Sequence, residues 1–306
     1  IPLVMGAQAL SGVAKDLNKM SAKSSIKLLV PGNQQGTLYK WVAILTGSKN
    51  ALKGVGFFLG GLLLATAGFR GAMLIMAGAL ACIWLFSIIM LKKDLGKASA
   101  KPKFRELLSK SRAINILSAA RMFLFGARDV WFVIALPVYL SSTFGWSFWL
   151  VGGFMATWVI GYGIVQSAAP LITRRKDGRV PDGRVAMFWA LLLAGLPAAI
   201  ALGMDTQWPT QAVVVIGLLV FGVVFAVNSS LHSYLIVSYA KADGVSLDVG
   251  FYYMSNAMGR LIGTVLSGWV YQAYGLQACL WVSSAFVAVA ALISMGLPRS
   301  HELIRH

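Results

Sequence analysis

The sequence predicts an all-α protein that crosses a membrane several times. Of its 306 residues, 58% are hydrophobic and only 12% are charged, which is far from the composition of ordinary soluble domains. The hydrophobic residues are gathered into long segments, and most of the charged residues lie in short segments between them. These two observations exclude a soluble globular domain.

Eight complete apolar segments are long enough to cross a hydrocarbon core of about 30 Å as helices. In chain order they cover residues 39–69, 72–91, 113–140, 146–172, 185–204, 211–237, 251–274 and 277–297. A ninth segment is already in progress at Ile1. Cys82 and Cys279 lie inside apolar segments without the spacing of a metal site or a redox motif, and we interpret them as packing residues.

The basic residues indicate how the chain is oriented in the membrane. The connection at 92–112 carries eight Lys or Arg and the connection at 173–184 carries five, whereas the alternate connections share a single Arg. By the positive-inside rule, the two basic connections and the C-terminal tail are cytoplasmic. The net charge of +17 is therefore mostly a topology signal, and it does not call for nucleic acid as a partner.

Six predicted spans follow the long basic connection, and about three precede it. This arrangement resembles the major facilitator superfamily, whose two six-helix halves meet around a site near the midplane. The resemblance implies that about nine of twelve transmembrane helices are present and that the first three are missing. Residues 1–91 are then helices 4 to 6 of the N-terminal half, 92–112 the central cytoplasmic loop, and 113–306 helices 7 to 12 with a short cytoplasmic tail.

Glycine-rich stretches carry the same resemblance. The stretch GVGFFLGGLL resembles the fifth helix of the superfamily, with Gly54, Gly56, Gly60 and Gly61 as packing glycines. The stretch SNAMGRLIGTVLSGWVYQAYG resembles an eleventh helix that packs closely against a neighbour.

Charged residues lie deep inside the apolar stretch FLFGARDVWFVIALPVYL. An Arg at a helix centre costs roughly 2.5 to 3.5 kcal/mol on insertion scales, so such residues usually face the interior of the bundle. Arg121 and Arg128 are seven residues apart and share one helix face. Asp129 points about 100° away from Arg128, where it is placed to neutralise a cation on a neighbouring helix. Snorkelling of Arg121 to the interface is the alternative interpretation.

Lysines form similar stripes on two earlier helices. Lys49 and Lys53 are four residues apart and share a face with Gly56 and Gly60, so we expect them to point towards protein. Lys15 and Lys19 share a face of the first helix in the same way. Lys23 and Lys27 follow on that helix, and we interpret them as its solvated cytoplasmic end.

Two further helices carry polar faces. In FYYMSNAMGRLIG, one polar face is formed by Tyr252, Tyr253, Asn256 and Arg260. In VNSSLHSYLIV, Asn228 and His232 do the same, and His232 is either a packing residue or a proton relay.

The interior charges indicate the class of substrate. Seven predicted interior cations face only two acids, Asp16 and Asp129; the cations are Lys15, Lys19, Lys49, Lys53, Arg121, Arg128 and Arg260. Such a surplus repels itself unless an anion joins it. The favoured ligand is a small anion with phosphate-like or carboxylate groups, which arginine binds at two points.

Three stretches narrow the resemblance further. QALSGVAKDLNKMSAKSS, TGSKNALKGVGFFLGGLLL and FLFGARDVWFVIALPVYL closely resemble the organoarsenical efflux permeases of bacterial arsenic operons, the ArsJ family. The resemblance implies export of 1-arseno-3-phosphoglycerate across the bacterial inner membrane. It also implies a functional partner, the glyceraldehyde-3-phosphate dehydrogenase that makes this ester. Transport of another organophosphate, such as 3-phosphoglycerate, fits the charges equally well.

The expected mechanism is alternating access. Lys49 and Lys53 of the N-terminal half bind one end of the anion. The arginines of the C-terminal half, with Asn256, bind its opposite end. Asp129 and His232 are the candidates for proton coupling. The sequence contains no HExxH, GxSxG or nucleotide-binding GxxxxGK[ST] motif, so we predict a transporter and not an enzyme, with no cofactor or metal.

Overall fold

The computed structural model describes residues 2–31, 34–90, 111–173, 180–240 and 245–298. These residues form eight helices and no strands, which confirms the predicted all-α fold. Almost all of the predicted central loop at 92–112, the basic segment at 174–179 and the tail after residue 298 lie outside the described residues.

The helices differ greatly in length. In chain order they are α1 (Pro2–Leu29), α2 (Gln35–Met90), α3 (Arg112–Phe132), α4 (Ala135–Ser142), α5 (Phe148–Ile172), α6 (Gly183–Gly203), α7 (Thr210–Tyr239) and α8 (Val245–Ser294). By length and composition, six segments of the described chain can cross a membrane; they are α2, α3 joined with α4, and α5 to α8. The first helix, α1, is not among them.

Two of these helices are interrupted by a glycine. The φ angle is 66° at Gly68 in α2 and 78° at Gly275 in α8, a backbone conformation that glycine adopts without the steric cost of a side chain. Each glycine therefore ends one helical run and starts another. Both turns fall where the apolar pattern predicts a connection between two spans.

The predicted span at 113–140 is broken between α3 and α4. Pro137 has no N–H and its ring crowds the carbonyl four residues earlier, which prevents a continuous helix. The backbone N–H groups of Ile134 and Ala135 instead donate to the hydroxyl of Ser267 on α8, at 3.3 and 3.1 Å. By length and composition, α3 and α4 together still form one candidate span, as predicted, and α8 supports the break within it.

Glycines bring α2 against α5. A Cβ atom at Gly47 would lie 2.5 Å from the carbonyl oxygen of Gly163, and one at Gly54 would lie 2.7 Å from that of Ala156. Gly61 continues this stripe, with the Trp149 ring 3.9 Å from its Cβ position. Close approach of small residues is how helices associate where lipid removes the hydrophobic driving force.

The packing role expected for Gly56 and Gly60 is wrong for the described part of the chain. None of its atoms outside their own helix lies within 4 Å of a Cβ built at either position. The reason is rotational, because these residues lie roughly 200° and 240° around the helix from Gly54, which faces α5.

Aromatic side chains fill the core between α3, α5 and α7. Trp131 lies edge-on to Phe221 and Trp158, with ring centroids 5.1 and 5.9 Å apart. Tyr162 stacks on Trp158 at 5.8 Å and also contacts Phe225. This core fixes the three helices that carry the polar residues described next.

Candidate substrate-binding site

The close contact between α3 and α8 places the charged residues. A Cβ atom at Gly259 would lie 2.0 Å from the carbonyl oxygen of Met122, and one at Gly263 would lie 2.5 Å from that of Gly126. The two backbones therefore almost touch, as expected from the glycines of the stretch SNAMGRLIGTVLSGWVYQAYG. This proximity brings Asp129 of α3 next to Arg260 of α8.

Asp129 binds two arginines. Its Oδ2 accepts from Nε of Arg260 at 2.8 Å, and its Oδ1 accepts from Nε of Arg128 at 2.7 Å and also from Nη2 of Arg128. The carboxylate is fully buried, whereas the side chain of Arg260 is 48% exposed. Two cations share one anion, so this group carries one excess positive charge.

The contact with Arg260 agrees with the expectation that Asp129 neutralises a cation on another helix. The expected divergence of Asp129 and Arg128 concerns their directions on the helix, and it does not prevent the two side chains from pairing. Their Cβ directions do diverge on the helix, but the long side chain of Arg128 swings back to reach the carboxylate.

Arg121 is buried among neutral groups. Its Nε donates to Oδ1 of Asn256 at 3.0 Å, and its Nη1 donates to the carbonyl and hydroxyl oxygens of Ser229 at 3.3 and 3.2 Å. Its guanidinium carbon lies 3.8 Å from the ring centroid of Phe125 and 5.1 Å from that of Tyr252. Within the described ranges no carboxylate pairs with Arg121, and its burial is incompatible with snorkelling to the interface.

A hydrogen-bond network connects Arg121 to α2. Asn50 of α2 donates to Oε1 of Gln166 at 2.6 Å, and Nε2 of Gln166 donates to the Ser229 hydroxyl at 3.1 Å. The same hydroxyl accepts from Arg121, so the network extends through α2, α5, α7, α3 and α8. Asn50 and Gln166 were not predicted from the sequence. The signal for Gln166 was present, because it is an amide within an otherwise apolar span.

Four lysines and Tyr253 line a cavity of about 510 Å³ between α1, α2 and α8. The lysines are Lys19, Lys23, Lys49 and Lys53. Lys19, Lys49 and Lys53 were predicted from sequence, and Lys15, also predicted, is exposed and does not line the cavity. Lys19 is paired with Asp16, half of whose side chain is exposed.

The interpretation of Lys23 as part of a solvated helix end is wrong. Lys23 is only 2% exposed. Its ammonium nitrogen lies 5.1 Å from the ring centroid of Tyr253 and 5.7 Å from that of Tyr252. The packing of α8 against α1 covers this position, and sequence periodicity could not show it.

The two candidates for proton coupling have different surroundings. Both carboxylate oxygens of Asp129 accept hydrogen bonds from arginines, as described above. His232 is buried, and its Nδ1 has no hydrogen-bond partner among the described residues. Neither residue lines the lysine cavity.

Polar contacts close one end of the bundle. Lys27 of α1 donates to the carbonyl oxygen of Ser238 on α7 at 3.2 Å, and Ser24 contacts Ser246 of α8 at 3.1 Å. Gln35 of α2 accepts from the Tyr234 hydroxyl at 3.3 Å. We call this set of contacts the closed end. It joins α1 and α2 to α7 and α8.

Several long apolar helices, with basic side chains gathered at the contacts between them, are features of a multi-pass membrane transporter. The sequence profile of the Major Facilitator Superfamily matches residues 1–245. The chain belongs to this superfamily, which confirms the predicted superfamily and the prediction of a transporter and not an enzyme.

A solved structure shares the fold. The crystal structure of the human organic anion transporter MFSD10 (TETRAN) matches with a TM-score of 0.70 and 17% sequence identity, covering 90% of this chain and 67% of that chain. At this identity the likeness concerns the fold alone. No curated protein sequence matched the chain.

Proposed function

We propose that this transporter exports a small organic anion that carries more than one negative charge, and that the anion is 1-arseno-3-phosphoglycerate. The observation that carries the proposal is the excess of cations at the lysine cavity and the arginine cluster. Seven basic groups lie at the lysine cavity or the arginine cluster; they are Lys19, Lys23, Lys49, Lys53, Arg121, Arg128 and Arg260. The acids beside them are Asp16 and Asp129, and both are already paired.

An uncompensated surplus of this kind needs an anion. Cations gathered close together repel one another, and those that are buried, such as Arg121 and Lys23, also lose hydration, so an anionic partner stabilises the group. A bound phosphate-type or carboxylate group would supply the missing charge and accept charge-assisted hydrogen bonds from Arg121 and Arg128. A cationic substrate would add to the repulsion.

The particular anion comes from the resemblance to the ArsJ family. That family is taken to export 1-arseno-3-phosphoglycerate, which a partner glyceraldehyde-3-phosphate dehydrogenase makes, and export confers arsenate resistance. The ester carries a phosphate at one end and an arsenate-type group at the other, which suits two basic clusters. The human structural neighbour is itself named an organic anion transporter. The expected location is the bacterial inner membrane, with the C-terminus in the cytoplasm.

The proposed mechanism is alternating access between the two halves. In this proposal, the lysines of α1 and α2 belong to the N-terminal half, and Arg121, Arg128 and Arg260 belong to the C-terminal half. An anion that contacts both sets of residues would draw the halves together. Its release requires a second state that binds the anion more weakly. The closed end would separate in the opposite state, because its contacts join helices of the two halves.

The test is arsenate resistance in an arsenate-sensitive bacterium. The full-length transporter is expressed with and without its partner dehydrogenase, and growth and cellular arsenic are measured. Resistance that requires both proteins supports export of the arsenylated ester. Absence of resistance from membrane-inserted protein would refute the arsenic proposal and leave transport of 3-phosphoglycerate or a similar anion as the alternative.

Two variants make this test specific. Arg128→Gln removes a cation from the interior cluster and should abolish resistance. Arg70→Gln removes one arginine from an exposed position beside the Gly68 turn, and it should leave resistance unchanged. Equal resistance from both variants at equal expression would contradict a role for the interior charge.

A further inference from the structure

Three lysines follow one face of α1 at intervals of four residues, and their surroundings differ. Lys19 pairs with Asp16, and Lys27 donates to the carbonyl oxygen of Ser238. Lys23, between them, is the most buried of the three. Its ammonium nitrogen has no hydrogen-bond partner among the described residues.

Burying an ammonium group without a partner is unfavourable, because the group loses its water and gains no hydrogen bond. The faces of Tyr252 and Tyr253 supply the favourable contacts that this ammonium makes with described residues, and they compensate only part of the lost hydration. Lys23 also lines the lysine cavity. A ligand that enters the cavity and reaches this nitrogen would meet a donor that no described residue uses.

Tyr252 connects Lys23 to the arginine cluster. The ring centroid of Tyr252 lies 5.7 Å from the ammonium nitrogen of Lys23 and 5.1 Å from the guanidinium carbon of Arg121. The two cations thus lie on the same aromatic ring and are separated by no more than the sum of these distances. This span suits a short organic anion with one charged group at each end.

We propose that Lys23 binds one anionic end of the substrate while the arginine cluster binds the other, and that Lys23 makes the site prefer anions charged at both ends. This inference rests on the proposed transport of a small organic anion. The inference adds Lys23 to the residues that recognise the substrate. It also adds a criterion for the substrate, which must carry two anionic groups on a short chain.

The experiment measures binding to the purified transporter by isothermal titration calorimetry. The two probes are 3-phosphoglycerate, which carries a phosphate and a carboxylate, and glycerol 3-phosphate, which carries only the phosphate. Wild-type protein should prefer 3-phosphoglycerate. Lys23→Met should weaken binding of 3-phosphoglycerate by about tenfold or more, the usual effect of losing one charged hydrogen bond, and should leave glycerol 3-phosphate much less affected.

Two matched variants control for charge and folding. Lys40→Met removes a lysine from an exposed position on α2 and should keep the wild-type preference. Lys23→Arg retains a cation at the site and should keep most of the preference. Equal affinity of wild type and Lys23→Met for 3-phosphoglycerate would overturn the inference.

A second variant, Lys23→Gln, is used in case Lys23→Met does not fold. Its amide keeps a polar group but carries no charge, so it should lose most of the preference for 3-phosphoglycerate over glycerol 3-phosphate in the same calorimetric assay. An unchanged preference would overturn the inference. If wild-type protein binds neither probe, the proposed function fails together with the inference, whereas binding that ignores Lys23 refutes the inference alone.

Discussion

The variant Asp129→Asn tests whether Asp129 balances the interior arginines. The substitution keeps the size of the side chain and removes the charge that pairs with Arg128 and Arg260. Losing one partner of a buried ion pair typically costs 3–5 kcal/mol, because the remaining charge is left uncompensated. The side chain of Arg260 is 48% exposed and can regain water, so we expect about 3 kcal/mol, the lower end of that range.

The assay is thermal unfolding of purified protein in detergent. Without ligand, Asp129→Asn should unfold at a lower temperature than wild type. An anion bound at the arginines would replace the lost carboxylate, so 3-phosphoglycerate should raise the unfolding temperature of the variant more than that of wild type.

A matched control is Asp205→Asn, at an exposed aspartate that accepts a hydrogen bond from Gln277 at 2.6 Å. It should change the unfolding temperature little, with or without ligand. The reasoning is refuted if Asp129→Asn is as stable as wild type, or if 3-phosphoglycerate stabilises wild type and variant equally.

Three other substitutions test the helix packing and the binding of the anion. Gly263→Leu should prevent α3 from packing on α8 and reduce the yield of monodisperse protein in size-exclusion chromatography, whereas Gly60→Leu, on an open face, should not. Arg121→Lys keeps the charge but loses the planar guanidinium that donates to two helices. We expect export to fall by about tenfold, as for one lost charged hydrogen bond, so that cells retain more arsenic. Ser267→Ala removes the acceptor for two backbone N–H groups at the break before α4. It should lower the free energy of unfolding by about 1–3 kcal/mol, measured by thermal unfolding. A variant as stable as wild type would show that water replaces the hydroxyl.

The positions of the helices follow from sequence because length and hydropathy determine which segments can cross a bilayer. The turns at Gly68 and Gly275 were predicted within a few residues. The break between α3 and α4 was not, although Pro137 signals it, because an apolar pattern continues across it. Hydropathy reports which residues are apolar and says little about whether a helix is straight.

Side-chain surroundings were harder to predict because periodicity fixes the angle between residues on one helix but not the direction in which the helix faces. Gly56 and Gly60 share a face with Lys49, yet α5 packs on the face of Gly47 and Gly54. The seven-residue spacing of Gly47, Gly54 and Gly61 was a usable signal for that contact. Lys23 offered no such signal, since only the docking of α8 buries it.

The most direct test of the central claim is transport of the arsenylated ester into inside-out membrane vesicles that contain the transporter. The outside solution contains arsenate, glyceraldehyde 3-phosphate and NAD+, which accepts the hydride when the aldehyde is oxidised to the acyl arsenate. Purified dehydrogenase is added or omitted, and vesicle arsenic is measured. The proposed function predicts accumulation only when the dehydrogenase is present, and loss of accumulation in the Arg128→Gln variant. Absence of accumulation, or equal uptake of arsenate without the dehydrogenase, would contradict it.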